Sequence, residues 1–376
     1  VISALELLSG DAQTFKEKVW ASRVLLHQTE PDHLVGYLSL DDVDRLLTAT
    51  AIRTPSVRVA KDGAVLPAST YTRSATMSGQ PMTGLVDARR LLDLFEDGAS
   101  VVLQGLQRYW EPLTELCAQL EDELGHPCQA NAYLTPPGSQ GFAVHSDAHD
   151  VFVFQTHGTK LWEVHEDGER RDVLLEPGLS MYLPTGTPHA ARAQEGASLH
   201  VTLGINQVTW GDVLRKVVGR TLAGDEHVPA GYLDDPAALA DGLRERLGSL
   251  ADRLREVDVE AEAQRQIGAF LGGRPPRLRG GLRDRLALAA IEDTTRLGRR
   301  PGHPMRMRTQ GESVEVLLGD RVLTVPARLT PHLERIRDLT LSSGGLSPAD
   351  LVDLDPQSRV VLCRRLVREG LLEVVV

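Results

Sequence analysis

The sequence predicts an α+β chain: a helix-decorated β-barrel, then a helical section, then a small mixed module. Three observations predict it. Short β-branched and aromatic runs, separated by Gly- and Pro-containing turns, fill residues 129–208. From Trp210 the pattern changes to helices, with Leu243, Leu247, Leu250, Leu254 and Val257 at helical spacing. Residues 311–376 then read strand, turn, strand, three helices and strand.

Residues 11–22 form a predicted helix with Phe15, Val19 and Trp20 on its buried face. A second helix covers 40–47, with Ser39 or Asp41 as its N-cap. Strands are expected at 56–60 and 101–103, and helices at 87–96 and 112–124. Inside the strand-rich stretch, Val151-Phe152-Val153-Phe154-Gln155 and Lys160-Leu161-Trp162-Glu163-Val164 flank a turn containing Gly158, a hairpin signal. A helix follows over 242–265, and Gly272-Gly273-Arg274-Pro275-Pro276 is the linker candidate. In the last segment, strands 313–318 and 321–325 flank Gly319-Asp320. Helices over 331–339, 348–354 and 356–369 come next, the last two capped by Ser347 and Asp355, and 371–376 closes as a strand. The domain boundaries that result are 1–209, 210–305 and 306–376.

Composition limits the function classes. The 376 residues suit two or three domains. Cys117, Cys128 and Cys363 form no spaced motif, which points to a reducing compartment. The opening Val-Ile-Ser-Ala-Leu-Glu-Leu-Leu has no basic leader, and no apolar run approaches the ~18 residues of a membrane span, so a cytoplasmic location is expected. The net charge of −11 argues against general nucleic-acid affinity. Residues 271–310 nevertheless hold ten arginines against Asp284, Glu292 and Asp293, a balance of +7. That segment fits an RNA or ribosome contact, or pairing with the chain's own acidic groups; the second is favoured. Residues 311–376 hold eight Arg and ten Asp or Glu, and phosphate contacts need positive charge, so direct DNA binding is not expected.

The chemistry is concentrated in Gly141-Phe142-Ala143-Val144-His145-Ser146-Asp147 and, further on, Pro188-His189. Alternate strand residues share a face about 6.6 Å apart, so His145 and Asp147 can lean onto one ion. His149 lies roughly 13 Å from His145 by the same rise, although an Asp147/His149 pair stays open on spacing alone. Two imidazoles and one carboxylate on one side of a metal are the donor set of non-haem Fe(II) oxygenases. The stretch Gly178-Leu179-Ser180-Met181-Tyr182-Leu183-Pro184-Thr185-Gly186-Thr187-Pro188-His189 has the form G-x5-P-x-G-x2-H. It resembles the second signature motif of the cupin superfamily, whose barrel is a double-stranded β-helix. Lys160 shares a strand face with Trp162 and Val164; inside a barrel it needs an anion, and at a strand end it is simply solvated.

Asn131-Ala132-Tyr133, His145-Ser146-Asp147, His149-Asp150-Val151-Phe152-Val153, Lys160-Leu161-Trp162, Pro188-His189 and Leu199-His200-Val201-Thr202-Leu203 occur in that order. In this the chain resembles the JmjC-type ribosomal oxygenases, which are Fe(II)- and 2-oxoglutarate-dependent protein hydroxylases. The resemblance implies that His145, Asp147 and His189 bind iron. It implies that Lys160, Asn131 and Tyr133 contact 2-oxoglutarate, and that the substrate is a side chain, histidine or arginine, of a ribosomal protein. Lys160 leans towards the histidine-hydroxylating branch. Several relatives carry a serine after the Leu-His-Val-Thr-Leu segment; here Gly204-Ile205 follows, which leaves Thr202 or a water as the substitute contact, or a different co-substrate pocket. The helical section resembles that family's dimerisation region, which implies a homodimer, with a plain packing layer as the alternative. The last segment has the order of a winged helix and suits protein docking. Two other classes remain open: a cupin metal enzyme that does not use 2-oxoglutarate, and a non-catalytic docking protein.

Overall fold

Capping side chains start the helices ahead of the barrel. Ser3 and Glu6 form a capping box on α1 (Ala4–Ser9), Asp11 caps α2 (Ala12–Lys18), and Ser39 with Asp42 caps α4 (Leu40–Thr48) after the short α3 (Asp32–Val35). Of the two N-cap candidates Ser39 is the one used. The computed structural model describes residues 2–139, 143–193, 195–222, 224, 227–303, 305–342 and 344–375; Gly141, Phe142 and Val376 lie outside the described residues. The chain divides into two units, 1–207 and 208–376.

The first unit continues with β1 (Leu25–Gln28), β2 (Val57–Lys61), β3 (Ala64–Val65), β4 (Thr72–Met77), β5 (Gln80–Val86), α5 (Ala88–Glu96), β6 (Ser100–Leu103) and α6 (Glu111–Leu124). Then come β7 (Cys128–Thr135), β8 (Asp150–His157), β9 (Lys160–Glu166), β10 (Glu169–Leu175), β11 (Leu179–Leu183), β12 (His189–Ala193) and β13 (Ser198–Ile205). One sheet has the order β1-β11-β8-β13-β7-β6-β2-β3, a second β10-β9-β12, and β4-β5 is a separate hairpin. The pairings are antiparallel.

The period of two along β8 explains why it is apolar throughout. Phe152 and Phe154 join the cluster that holds Leu5, Phe15 and Leu34 of the N-terminal helices. Val151 and Val153 point the other way, into a cluster with Trp162, Val164 and Leu175 of the second sheet and Met181 and Leu183 of β11. The expected α+β class is observed, and two sheets sharing an apolar interior are consistent with the expected barrel.

The second unit opens with α7 (Trp210–Thr221), α8 (Pro236–Arg255) and α9 (Val259–Gly272). The single helix expected over 242–265 is therefore two. Asp258 stands extended and its carboxylate accepts from the Ala261 N–H, starting a new helix where the apolar spacing alone reads through. Within the expected linker, Arg274 is buried and its N–H donates to Gly319 O at 3.1 Å. Then follow α10 (Gly281–Ala287), β14 (Leu297–Arg299), β15 (Arg306–Gln310), β16 (Ser313–Leu317), β17 (Val322–Pro326), α11 (Thr330–Ser342), α12 (Pro356–Arg368) and β18 (Leu372–Val374). β15, β16 and β17 form one sheet, and β14 pairs with β18. The helix expected over 348–354 is one 3-10 turn, Pro348–Asp350. Ser347 and Asp350 close a capping box over it, and Pro356 holds Asp355 extended, so no second turn forms.

Several arginines of the basic segment are turned to internal partners: Arg300 to Asp284 and to Gly370 O, Arg299 to His303 O, Arg285 to Arg368 O and Arg308 to Glu315. Among the described residues no helix is long and apolar enough to cross a membrane.

Candidate metal centre and its cavity

His189 opens β12, and the rigid turn Pro184-Thr185-Gly186-Thr187-Pro188 delivers it. The His145 N–H donates to His189 O at 3.0 Å, and the His189 N–H returns to His145 O at 2.8 Å. Gly186 N–H donates to Asp147 O at 3.0 Å, so backbone bonds join the two ligand-bearing segments. One donor atom each of His145, Asp147 and His189 lies within 4.8 Å of the others. His189 Nε2 stands 3.8 Å from Asp147 Oδ2, and the two imidazole centroids are 4.6 Å apart.

The tautomers follow from carbonyl partners. His145 Nδ1 lies 2.8 Å from Ala143 O and His189 Nδ1 lies 2.9 Å from Thr187 O. A carbonyl oxygen has no proton to give, so each Nδ1 carries the hydrogen, and Nε2 is the nitrogen left to face a metal. Burial pushes the His189 pKa down, with the nearby His145 acting in the same direction, which favours the neutral, metal-coordinating form. Two imidazoles and a carboxylate fit a divalent transition metal. His189 is buried and His145 exposed, so the triad lies between the interior and solvent. His149 is not part of this group. Its ring packs over Gly204, where a Cβ would come within 2.6 Å of His149 Nε2.

A cavity of ≈290 Å³ runs from the triad into the barrel. Thr202, Val151 and Val153 line it along with His145, Asp147 and His189; Tyr133, Trp162 and His200 line it too, as do Lys160, Thr135, Ser100 and Arg58. Lys160 is 3% exposed, so it is an interior lysine and not a solvated strand end. Its Nζ donates to Thr135 Oγ1 at 2.9 Å and lies 3.5 Å from His200 Nδ1. Burial pushes its pKa down to about 7. Burial, then the Lys160 charge, holds His200 well below the ordinary histidine value, so it is neutral. His200 lies flat on Tyr133 at 4.8 Å and meets Trp162 edge-on at 5.4 Å. Burial raises the Tyr133 pKa and keeps the phenol protonated as a donor. The Trp162 indole N–H is buried with no acceptor among the described residues; a bound oxygen acceptor is the group that would satisfy it.

Of the four expected co-substrate contacts, Lys160, Tyr133 and Thr202 line the cavity. Asn131 sits opposite Thr202 in the β7–β13 pairing but is not in the cavity wall, and its Oδ1 accepts from Gly105 N–H at 3.0 Å. Arg58, Ser100, Thr135 and His200 were not expected in the wall. Thr135 and His200 were findable, each two residues along a strand from Tyr133 or Thr202 and hence on the same face. Arg58 and Ser100 arrive from β2 and β6, whose place beside β7 is a matter of tertiary pairing.

A JmjC domain matches residues 106–172 and 166–213. The chain is 33% identical over 280 residues to the bifunctional lysine-specific demethylase and histidyl-hydroxylase NO66 of Branchiostoma floridae, covering 69% of this chain and 44% of that protein. It is 29% identical over 235 residues to ribosomal oxygenase 1 of Danio rerio, covering 56% of this chain and 42% of that one. It therefore spans less than half the length of either relative. The structure of YcfD, a ribosomal oxygenase from Escherichia coli in complex with cobalt and 2-oxoglutarate, superposes with a TM-score of 0.51 at 20% identity, over 96% of this chain and 97% of that one, which shows a common fold. The JmjC match spans the stretch that carries His145, Asp147 and His189, so the chain carries a JmjC domain and is similar in sequence to members of the JmjC ribosomal oxygenase family.

Proposed function

We propose that this chain is an Fe(II)- and 2-oxoglutarate-dependent protein hydroxylase acting on a histidine or arginine side chain of a ribosomal protein. One observation carries the proposal: three donor atoms gathered within 4.8 Å border a cavity that also holds the buried ammonium of Lys160. The names of the relatives, and the cobalt and 2-oxoglutarate bound by YcfD, support it.

In this proposal His145, Asp147 and His189 hold the iron, which when bound with 2-oxoglutarate supplies the O₂ activation that oxidises a substrate C–H bond. Lys160 pairs with the distal carboxylate of the co-substrate, an anion that compensates its burial. Thr135 holds the Lys160 ammonium in place, and neutral His200 adds no competing charge beside it. Tyr133 and Thr202 contribute hydroxyls from neighbouring strands, while Asn131 supports the wall through Gly105. Val151, Val153 and Trp162 keep water from the interior. Lys160 favours histidine over arginine as the residue modified.

The assembly belongs to the same proposal. α8 buries none of its residues, and Trp210, Leu214, Leu243 and Leu247 of α7 and α8 are exposed, which supports a homodimer through the helical section 210–305. Residues 306–376, with the β15-β16-β17 sheet, α11 and α12, form a winged-helix-like module that docks protein and not DNA. The enzyme works in the cytoplasm.

The test is an anaerobic titration of the full chain with Fe(II) and then 2-oxoglutarate, following the visible charge-transfer band of the ternary complex. The expected result is a band in the wild type that is lost in His145→Ala and weakened in Lys160→Ala. Metal binding without a band overturns the 2-oxoglutarate reading.

A further inference from the structure

We propose that Asp150 is a positioning residue that sets the metal-binding geometry by latching the segment carrying Asp147 to the turn that delivers His189. The proposal rests on the metal site argued above. Asp150 opens β8, three residues after Asp147, and is 0% exposed. Its Oδ1 accepts from Thr185 N–H at 2.7 Å and from the Thr185 hydroxyl at 2.8 Å. Its Oδ2 accepts from Gln207 Nε2 at 2.7 Å and from the Tyr182 phenol. Thr185 sits inside the turn, four residues before His189. Tyr182 lies on β11, just ahead of the turn, and Gln207 follows β13. One carboxylate thus gathers the chain ends around the metal end of the barrel.

Burying a carboxylate costs free energy unless its lone pairs are filled, and here no cation is among these four bonds. Four donors on two oxygens supply the compensation, and charge-assisted bonds of this kind are the stronger class. The chemistry also explains why a carboxylate suits the place better than an amide. An asparagine keeps one acceptor oxygen, so its NH₂ group would face two donors whichever way round it sits. The backbone bonds from Gly186 to Asp147 and between His145 and His189 join the same two segments. They tie Gly186 and His189 to the segment that carries His145 and Asp147. The Asp150–Thr185 pair adds a second line of attachment from a buried side chain, so the His189 imidazole is held at one separation from Asp147.

The experiment measures Co(II) affinity of the full chain through the visible ligand-field absorption of the bound ion, together with the melting temperature of each variant. Asp150→Ala removes both acceptor oxygens and with them the link to the turn. Tyr182→Phe removes one donor from the same carboxylate and leaves both Thr185 bonds. The expected result is Co(II) binding weaker by about 10- to 100-fold in Asp150→Ala, with altered band positions at saturation, the range typical for losing a group that orients a metal ligand. Tyr182→Phe is expected to bind with the wild-type spectrum even where its melting temperature falls as far. If Asp150→Ala does not fold, Thr185→Val cuts one turn contact while keeping the buried carboxylate, and weaker binding is again expected. Wild-type affinity and spectrum in folded Asp150→Ala or Thr185→Val overturn the latch, as does affinity that simply follows melting temperature across the set. A wild-type protein that binds no Co(II) overturns the metal site itself, and the latch with it.

Discussion

Lys160 shows what one interior charge does to pH behaviour. Its ammonium is buried against Thr135 and neutral His200, and burial lowers its pKa to about 7. Between that value and the unfolded value near 10.4, the folded chain binds fewer protons than the unfolded chain. Ligand-free stability therefore rises with pH across this window, and the gain is lost as pH falls through about 7. A bound carboxylate reverses the preference by stabilising the ammonium, so binding above pH 7 takes up a proton. The KM for 2-oxoglutarate is accordingly expected to rise with pH above about 7 in the wild type and to stay flat in Lys160→Arg, whose guanidinium remains charged. Steady-state kinetics across that range check it, and a flat wild-type profile sinks the assignment of Lys160 as the anion partner. The sequence could place Lys160 on the Trp162 face but could not choose the inside of the barrel over a solvated end, because that depends on β7 and β13 closing over it. His145, Asp147 and His189 were legible because each sits in a short motif with its own local spacing.

Turns carry register at the scale of elements. Gly158 joins β8 to β9 at φ +62°, and a Cβ there would fall 2.1 Å from Ala197 O. Gly158→Ala must leave the left-handed region or push the strand carrying Ser198 away, and the backbone cost alone is about 1–2 kcal/mol. Denaturant unfolding should show at least that loss, with Lys160 two residues on bearing the displacement; an unchanged midpoint contradicts it. The β8–β9 hairpin was legible because turn and strands are local. The α8–α9 break was not, since the apolar spacing runs on through Val257 and only the Asp258 cap interrupts it. β14 was missed for a different reason: its partner, β18, lies far along the chain, and three residues carry no period. On α8, Leu243 and Leu247 stand one helical turn apart and exposed. Leu243→Glu with Leu247→Glu should convert a dimer to a monomer by light scattering while the metal titration stays as in the wild type. A double variant that remains dimeric moves the interface elsewhere.

At the scale of the whole molecule, the proposed function makes charge the term that governs the encounter with a peptide substrate. The chain carries 41 Lys and Arg against 52 Asp and Glu. Within the Arg-rich segment Arg285, Arg299, Arg300 and Arg308 hold internal partners, and the net charge of the chain is −11. A field of that sign steers a cationic peptide towards the enzyme and repels polyanions, so the net charge fits a basic ribosomal protein better than naked RNA. Screening separates this long-range effect from the contacts inside the cavity. The Debye length falls from about 10 Å at 0.1 M salt to about 3 Å at 1 M, while a buried pair is screened far less. For a basic peptide substrate, KM is expected to rise several-fold as salt goes from about 0.05 M to about 0.5 M. Over the same range the KM for 2-oxoglutarate at Lys160 should change little, because that ammonium lies inside the barrel. Kinetics with both substrates across a salt series distinguish the two. A peptide KM that ignores salt would remove the acidic surface from recognition and leave the cavity mouth, with exposed His145 at its edge, to select the substrate by shape.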